Sequence, residues 1–131
     1  MLSAYIGRPY RDEACGPEAF DCKGLVRAVQ YELWHRDVPA LTGSWLAWRD
    51  ACRNVGWTPT TESPQPGDVL LVHCIDGPHV GVFVTLNRRL KVLHARSRVV
   101  RGVQVGRVDA HDLADLLICG YARPQTWRCS T

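Results

Sequence analysis

The feature that most limits the fold is a change of periodicity near the middle of the chain. Up to Gly56 the apolar residues recur at helical spacings. From Asp68 they come in short β-rich runs separated by turns. Asp68-Val-Leu-Leu-Val-His-Cys74 is apolar and β-branched, the pattern of a buried strand. Asp76-Gly77-Pro78 reads as a turn. His79-Val-Gly-Val-Phe-Val-Thr85 alternates and predicts a second strand. Lys91 to Ala95 predicts a third, and Val99 to Val105 a fourth, bent at Gly102. Asp109 to Leu116 predicts a short helix or turn capped by Asp109. Leu117 to Ala122 predicts a fifth strand, and Pro124 to Thr131 a tail onto which Trp127 folds back. Helices followed by a run of strands predict an α+β domain with an antiparallel sheet, not alternating βαβ units. The 131 residues suit one domain over 1–131, with its core in about 5–123.

The first half supplies two helices. Asp21 is a plausible N-cap for a helix running to His35 or Arg36. Leu25, Val26, Val29 and Leu33 form its apolar face, with Cys22 at the head of that face. The second helix is expected from Ser44 to Asn54, capped by Ser44 and ended by Gly56, with Leu46, Ala47 and Ala51 inward. Tyr5 to Tyr10 is a short segment broken at Gly7 and Pro9. Thr58 to Gly67 reads as Pro-rich loop.

A cysteine on an apolar helical stripe usually serves packing. Here its position suggests chemistry instead. A helix N-terminus favours the thiolate, and the thiolate is the nucleophile. Two histidines lie on the strands expected to meet this helix. If the second and third strands turn between Leu86 and Asn87, His79 stands directly opposite His94; a longer loop makes them diagonal neighbours. His79 shares its face with Gly81 and Phe83, and Gly81 leaves room beside the imidazole. The helix carrying Cys22 is expected to cover that face. The arrangement supplies a thiol nucleophile, a base in His79, and His94 to orient the base. The Cys22 backbone N–H then serves as oxyanion donor.

Asp21-Cys22-x-Gly24-Leu25-Val26, then Pro66-Gly67-Asp68-Val69, then His79-Val80-Gly81-Val82-Phe83, then His94-Ala95 together resemble the NlpC-type cysteine peptidases. These are small papain-like domains that cut peptidoglycan stem peptides, and the resemblance covers about Tyr5 to Arg123. Tyr-Ile-Gly-Arg-Pro-Tyr10 and Gly24-Leu25-Val26-Arg27 look most like the phage-tail branch. The resemblance implies N-terminal helices on a five- to six-stranded antiparallel sheet. It implies Cys22, His79 and His94 as nucleophile, base and orienting residue. It implies Tyr10, Asp21, Lys23 and Gly81 as substrate contacts, and a bond between D-glutamate and a diamino acid as the one cut. Lys23 departs from the serine many relatives carry for binding a free stem-peptide amine. A lysine cannot accept a hydrogen bond from an ammonium group. It would instead lower the pKa of Cys22 or meet a substrate carboxylate.

Composition narrows the alternatives. A net charge of +3 is too small to argue for nucleic acid. No apolar run is long enough for a membrane span. Met1 to Glu13 has no secretory pattern. The expectation is therefore a protein made in the cytoplasm that reaches the wall by another route, as part of a phage or phage-like tail. The six cysteines read as reduced thiols. No cofactor is expected. No metal is expected either, because His73 and His79 lack further ligands at sensible spacing. His35 and His111 read as surface residues. Arg88, Arg89, Arg96, Arg98, Arg101 and Arg107 read as a solvated basic rim. Trp45 and Trp48, three apart, are candidate walls of a substrate cleft. Two other functions use the same fold: a tail-assembly docking module without catalysis, and a secreted antibacterial amidase effector.

Overall fold

A computed structural model describes residues 2–74, 77–118 and 122–130. The first long helix, α1, spans Cys22–Trp34, and α2 spans Trp45–Asn54. Strands follow at β1 (Thr58–Thr60), β2 (Val69–Cys74), β3 (Gly77–Leu86), β4 (Arg89–Val100) and β5 (Val103–His111). A short helix, α3 (Leu113–Ile118), precedes β6 (Ala122–Arg128). The strands form one six-stranded sheet in the order β1-β6-β2-β3-β4-β5, every neighbouring pair antiparallel.

Both long helices begin as the sequence predicts. The Asp21 carboxylate accepts from the Gly24 N–H at 2.6 Å, and the Ser44 hydroxyl accepts from Ala47 N–H at 3.3 Å. His35 ends α1 in the left-handed conformation, and its N–H closes on the Gln30 and Tyr31 carbonyls. α1 buries Leu25, Val26 and Val29 as expected, but Leu33 is half-exposed and Gln30 takes its place inside. Gln30 is satisfied there by donating to the Gly67 carbonyl at 2.8 Å. On α2 the inward residues are Trp45, Trp48 and Cys52, whereas Leu46 is 61% exposed. The tryptophans dominate because they remove the most apolar surface from water.

Two faces of the sheet carry different cores. Val80, Val82 and Val84 of β3, with Val69, Leu71, Leu93 and Ala95, pack against α1. Phe83, Leu70, Val72 and Val92 turn to the other face, where Leu116 of α3 covers them. The β3 face predicted to lie under α1 is therefore the opposite one. Strand alternation puts His79 and Gly81 on the side of Phe83.

The C-terminal part also differs from expectation. The strand predicted over 117–122 falls partly outside the described residues. Within them, α3 runs through Ile118 and β6 begins at Ala122. The predicted tail is largely β6, pairing with both β1 and β2. Trp127 is fully buried. Arg128 grips the buried Asp68 carboxylate with two hydrogen bonds of 2.8 Å. Two prolines nearby mask the strand signal: Pro59 in β1 and Pro124 in β6 both argue against sheet on local grounds. Residues 99–105, predicted as one bent strand, are the tip of the β4–β5 hairpin, with Val100 paired to Val103. The predicted turn at 76–78 lies partly outside the described residues; Gly77 and Pro78 belong to β3.

The N-terminal segment completes the frame of the site. Gly7 N–H donates to Val108 O at 2.9 Å, and Tyr10 N–H to Gly106 O at 2.9 Å. This covers the outer edge of β5. Tyr10 then bridges to Phe20, beside the head of α1.

Candidate active site

Cys22 opens α1 and is 9% exposed. The loop before it is tied to the helix head by one side chain. Asp21 accepts from Gly24 N–H through one oxygen and from Glu13 N–H, at 3.1 Å, through the other. Burial pushes the Cys22 thiol up to about 11. The N–H of Val80 works against that rise, as do the Lys23 ammonium and its backbone N–H, while the Asp21 charge adds to it. The resting group is thus the thiol, not the preformed thiolate the helix N-terminus alone would favour. The Val80 N–H is close enough to the sulfur to favour its thiolate, which sets it against β3, one residue from His79.

The position on β3 follows from the sheet. The β3–β4 ladder runs from Leu86 opposite Arg89 to Val82 opposite Leu93, and goes no further. The turn centres on Asn87 and Arg88, both at positive φ. It is one residue further along than a turn between Leu86 and Asn87. By extension of the register, Gly81 and not His79 faces His94, and the two histidines are diagonal neighbours. They still meet: His79 Nε2 lies 2.9 Å from His94 Nδ1, with the rings nearly perpendicular at 77°. Gly81 allows this approach. A Cβ there would lie 2.6 Å from Val92 Cγ1, 3.1 Å from Leu93 O and 3.3 Å from His94 Cβ. The room Gly81 leaves is filled by β4 itself. Gly81→Ala is therefore expected to cost about 1–3 kcal/mol in urea unfolding and to move His94 away from His79. A wild-type unfolding midpoint would mean that β4 steps back at no cost.

His94 is completely buried. Its other nitrogen, Nε2, lies 2.8 Å from His111 Nδ1. Burial first, then the neighbouring rings of His79 and His111, then Arg96, hold the His94 pKa down to about 2. His94 is neutral under any physiological condition. His111, read from sequence as a surface residue, thus ends a row of three imidazoles. The signal was present but needed the register. His94 pairs with Asp109 and Val92 with His111, so His111 is the diagonal neighbour of His94.

The other predicted contacts divide. Tyr10 is half-buried and lies close enough to Cys22 that a thiolate there would disfavour ionising the phenol; burial is the larger cause of its raised pKa. Asp21 and Lys23 line a cavity of about 210 Å³ with Glu13, Cys15, Gly24 and Arg27. Both Asp21 oxygens already accept backbone hydrogen bonds, so its visible duty is structural. The Lys23 ammonium, on a half-buried side chain, sits 3.9 Å from the carboxylate of the exposed Glu13. Trp45 and Trp48 are core residues, and Trp45 stacks on His73 at 5.9 Å.

Comparison with known proteins agrees with this architecture. A solved structure described as the NlpC/p60 domain of the peptidoglycan hydrolase SagA is similar at 20% identity. The likeness spans 97% of this chain and 90% of that one, with a TM-score of 0.52, and it shows the shared fold. No curated protein matches the chain. The family described as NlpC/P60 matches residues 7–117. With that match over most of its length, and a helix-headed cysteine packed on an antiparallel sheet, the chain belongs to the NlpC/P60 family.

Proposed function

We propose that the protein is a cysteine peptidase that hydrolyses amide bonds in peptidoglycan stem peptides. The observation that carries the reading is the Cys22 sulfur at the head of α1, against the amide that follows His79, with the far nitrogen of His79 taken by His94. Because burial keeps Cys22 protonated, attack requires a base. His79 Nε2 faces His94, and in this reading Nδ1 is the nitrogen that receives the thiol proton. The thiolate attacks the scissile carbonyl carbon. The oxyanion forms near the Cys22 backbone N–H at the helix N-terminus. The His79 imidazolium then returns its proton to the departing amine. Water, deprotonated by the same ring, releases the acyl group. His94 holds the tautomer and tilt of His79. Tyr10 lines the thiol's surroundings.

The finer reading adds the bond between D-glutamate and a diamino acid, and action at the cell wall as part of a phage or phage-like tail. Its support is the motif set and the opening Tyr5 to Tyr10 segment. Lys23, a cation where an amine-binding serine would stand, favours a substrate carboxylate over a free N-terminal amine. The test is digestion of purified muropeptides with mass spectrometry of the products. The expected products are a D-glutamyl-terminated fragment and a fragment with a new amine on the diamino acid. Cleavage elsewhere overturns the bond assignment. No cleavage of any muropeptide or sacculus would favour the docking module.

A further inference from the structure

We propose that His111 is a positioning residue: by accepting a hydrogen bond from His94 Nε2–H, it holds the row of imidazoles in the one tautomeric state that leaves His79 Nδ1 able to take the Cys22 proton. The inference rests on the peptidase reading above and adds a residue to it.

The argument is a count of protons. A neutral imidazole carries one N–H, so one ring nitrogen donates and the other accepts. His94 uses both nitrogens on other rings, at 2.9 Å to His79 and 2.8 Å to His111. Its single proton therefore sets the direction of both hydrogen bonds at once. Two states exist. In the outward state, His79 Nε2–H donates to His94 Nδ1, and His94 Nε2–H donates to His111 Nδ1. His79 Nδ1 then holds a lone pair. In the inward state every bond reverses, and a neutral His79 carries its proton on Nδ1, where it cannot act as base. Complete burial keeps His94 from storing a second proton, so the row changes by tautomer and not by charge in its middle.

His111 chooses between the states. Neutral and in its Nε2–H tautomer, it accepts at Nδ1 and stabilises the outward state. Protonated, it donates from both nitrogens, and the row must reverse. A proton on His111 therefore switches off a base two rings away. The groups around it set when that happens. His94 and Arg96 face it from β4, and Arg107 and Asp109 share its strand. Asp109 is tied to Arg107 at 3.0 Å. Asp112, just beyond β5, is held at 2.8 Å by Lys91 of β4, with Arg89 close by. Arg96, Arg98, Arg107, Asp109 and His111 line a cavity of about 430 Å³, which gives the outer ring access to solvent protons. The nearest carboxylates, Asp109 and Asp112, are thus engaged by cations rather than by His111.

The test combines two variants with a spectroscopic readout that needs no substrate. His111→Phe removes the acceptor and is expected to lower kcat by about 10- to 100-fold with KM little changed. His111→Gln offers an amide oxygen that accepts from His94 but cannot be protonated. It is expected to bring kcat back to within about fivefold of the parent. The parent's acid limb should fall with a slope approaching two protons, and that of His111→Gln with a slope of one. In nitrogen-15 NMR of the resting protein, His79 should carry its proton on Nε2 in the parent and in His111→Gln. His111→Phe should lose that preference. A parent with the His79 proton on Nδ1 at neutral pH overturns the proposal. So does a His111→Phe protein with parental kcat and tautomer. Should His111→Phe not fold, the change of slope in His111→Gln decides. If no muropeptide is cut, the tautomers still decide this inference, while the peptidase reading fails separately.

Discussion

Cys22→Ala is expected to abolish muropeptide cleavage, a loss of about 10⁴-fold or more in kcat/KM, while the protein still folds. The substitution removes one small, nearly buried atom, so the stability cost should stay near about 1 kcal/mol. The companion measurement is alkylation by iodoacetamide. With the thiol pushed up to about 11, only about one molecule in ten thousand would be thiolate at pH 7 unaided. Fast alkylation at neutral pH therefore requires His79 to take the proton. His79→Ala should slow Cys22 alkylation sharply at pH 7 and leave it nearly unchanged well above pH 11, where solvent alone removes the proton. The sign follows from the direction of the shift: raising the pH through the thiol's own range restores what the missing base supplied. Cys52 and Cys129, buried and pushed up to about 12, should stay silent under native conditions. Equal alkylation of Cys22 at pH 7 with and without His79 would separate the two side chains, and the catalytic account would fall.

The second large effect is predicted for a residue that performs no chemistry. Gly24→Ala places a Cβ 2.1 Å from the Ala14 carbonyl oxygen and 2.8 Å from Cys15 Cα. Both are backbone, so no side chain can swing aside. The same carbonyl accepts from Asp21 N–H at 2.9 Å, and Asp21 in turn holds Glu13 N–H. Relieving the clash means detaching the 13–15 loop from the helix head and losing these hydrogen bonds. A cost of about 3 kcal/mol or more is expected, with a fall in Tm of about 10 °C. Activity should fall further than stability alone explains, because the same loop leads into the residues around Tyr10 and Cys22. Thermal unfolding within a degree or two of the parent would show that the loop is not packed as described.

How much was legible in advance depended on range. α1, α2 and their caps are local: Asp21 and Ser44 announce them, and the structure agrees within a residue or two. The meeting of His79 with His94 was legible as two strands on a short turn. The register was not, because Asn87 and Arg88 both adopt positive φ, a choice the chain makes only in its folded context. The face of β3 was misjudged for a physical reason. Both faces of this sheet are covered, α1 on one side and α3 on the other, so alternation could not say which side α1 took. β1 and β6 were missed because each carries a proline, and their pairing joins residues about seventy positions apart. His111 was missed because its role exists only after the β4–β5 register is known. Gln30 sits on the apolar stripe because one backbone carbonyl, from Gly67, is there to receive it. No pattern in the helix itself could reveal that partner.

The position of β6 governs how the molecule can be made. The sixth strand in sequence order is seated inside the sheet, between β1 and β2, not at its margin. During synthesis, β2 through β5 can emerge from the ribosome and pair as successive hairpins. The place beside β2 stays vacant until residues 122–128 clear the exit tunnel. Until then Asp68 lacks Arg128, and the apolar wall reserved for Trp127 is open to water and to other nascent chains. Closure of this sheet thus waits on its sixth strand, and the interval before β6 docks is when the polypeptide has most need of a chaperone.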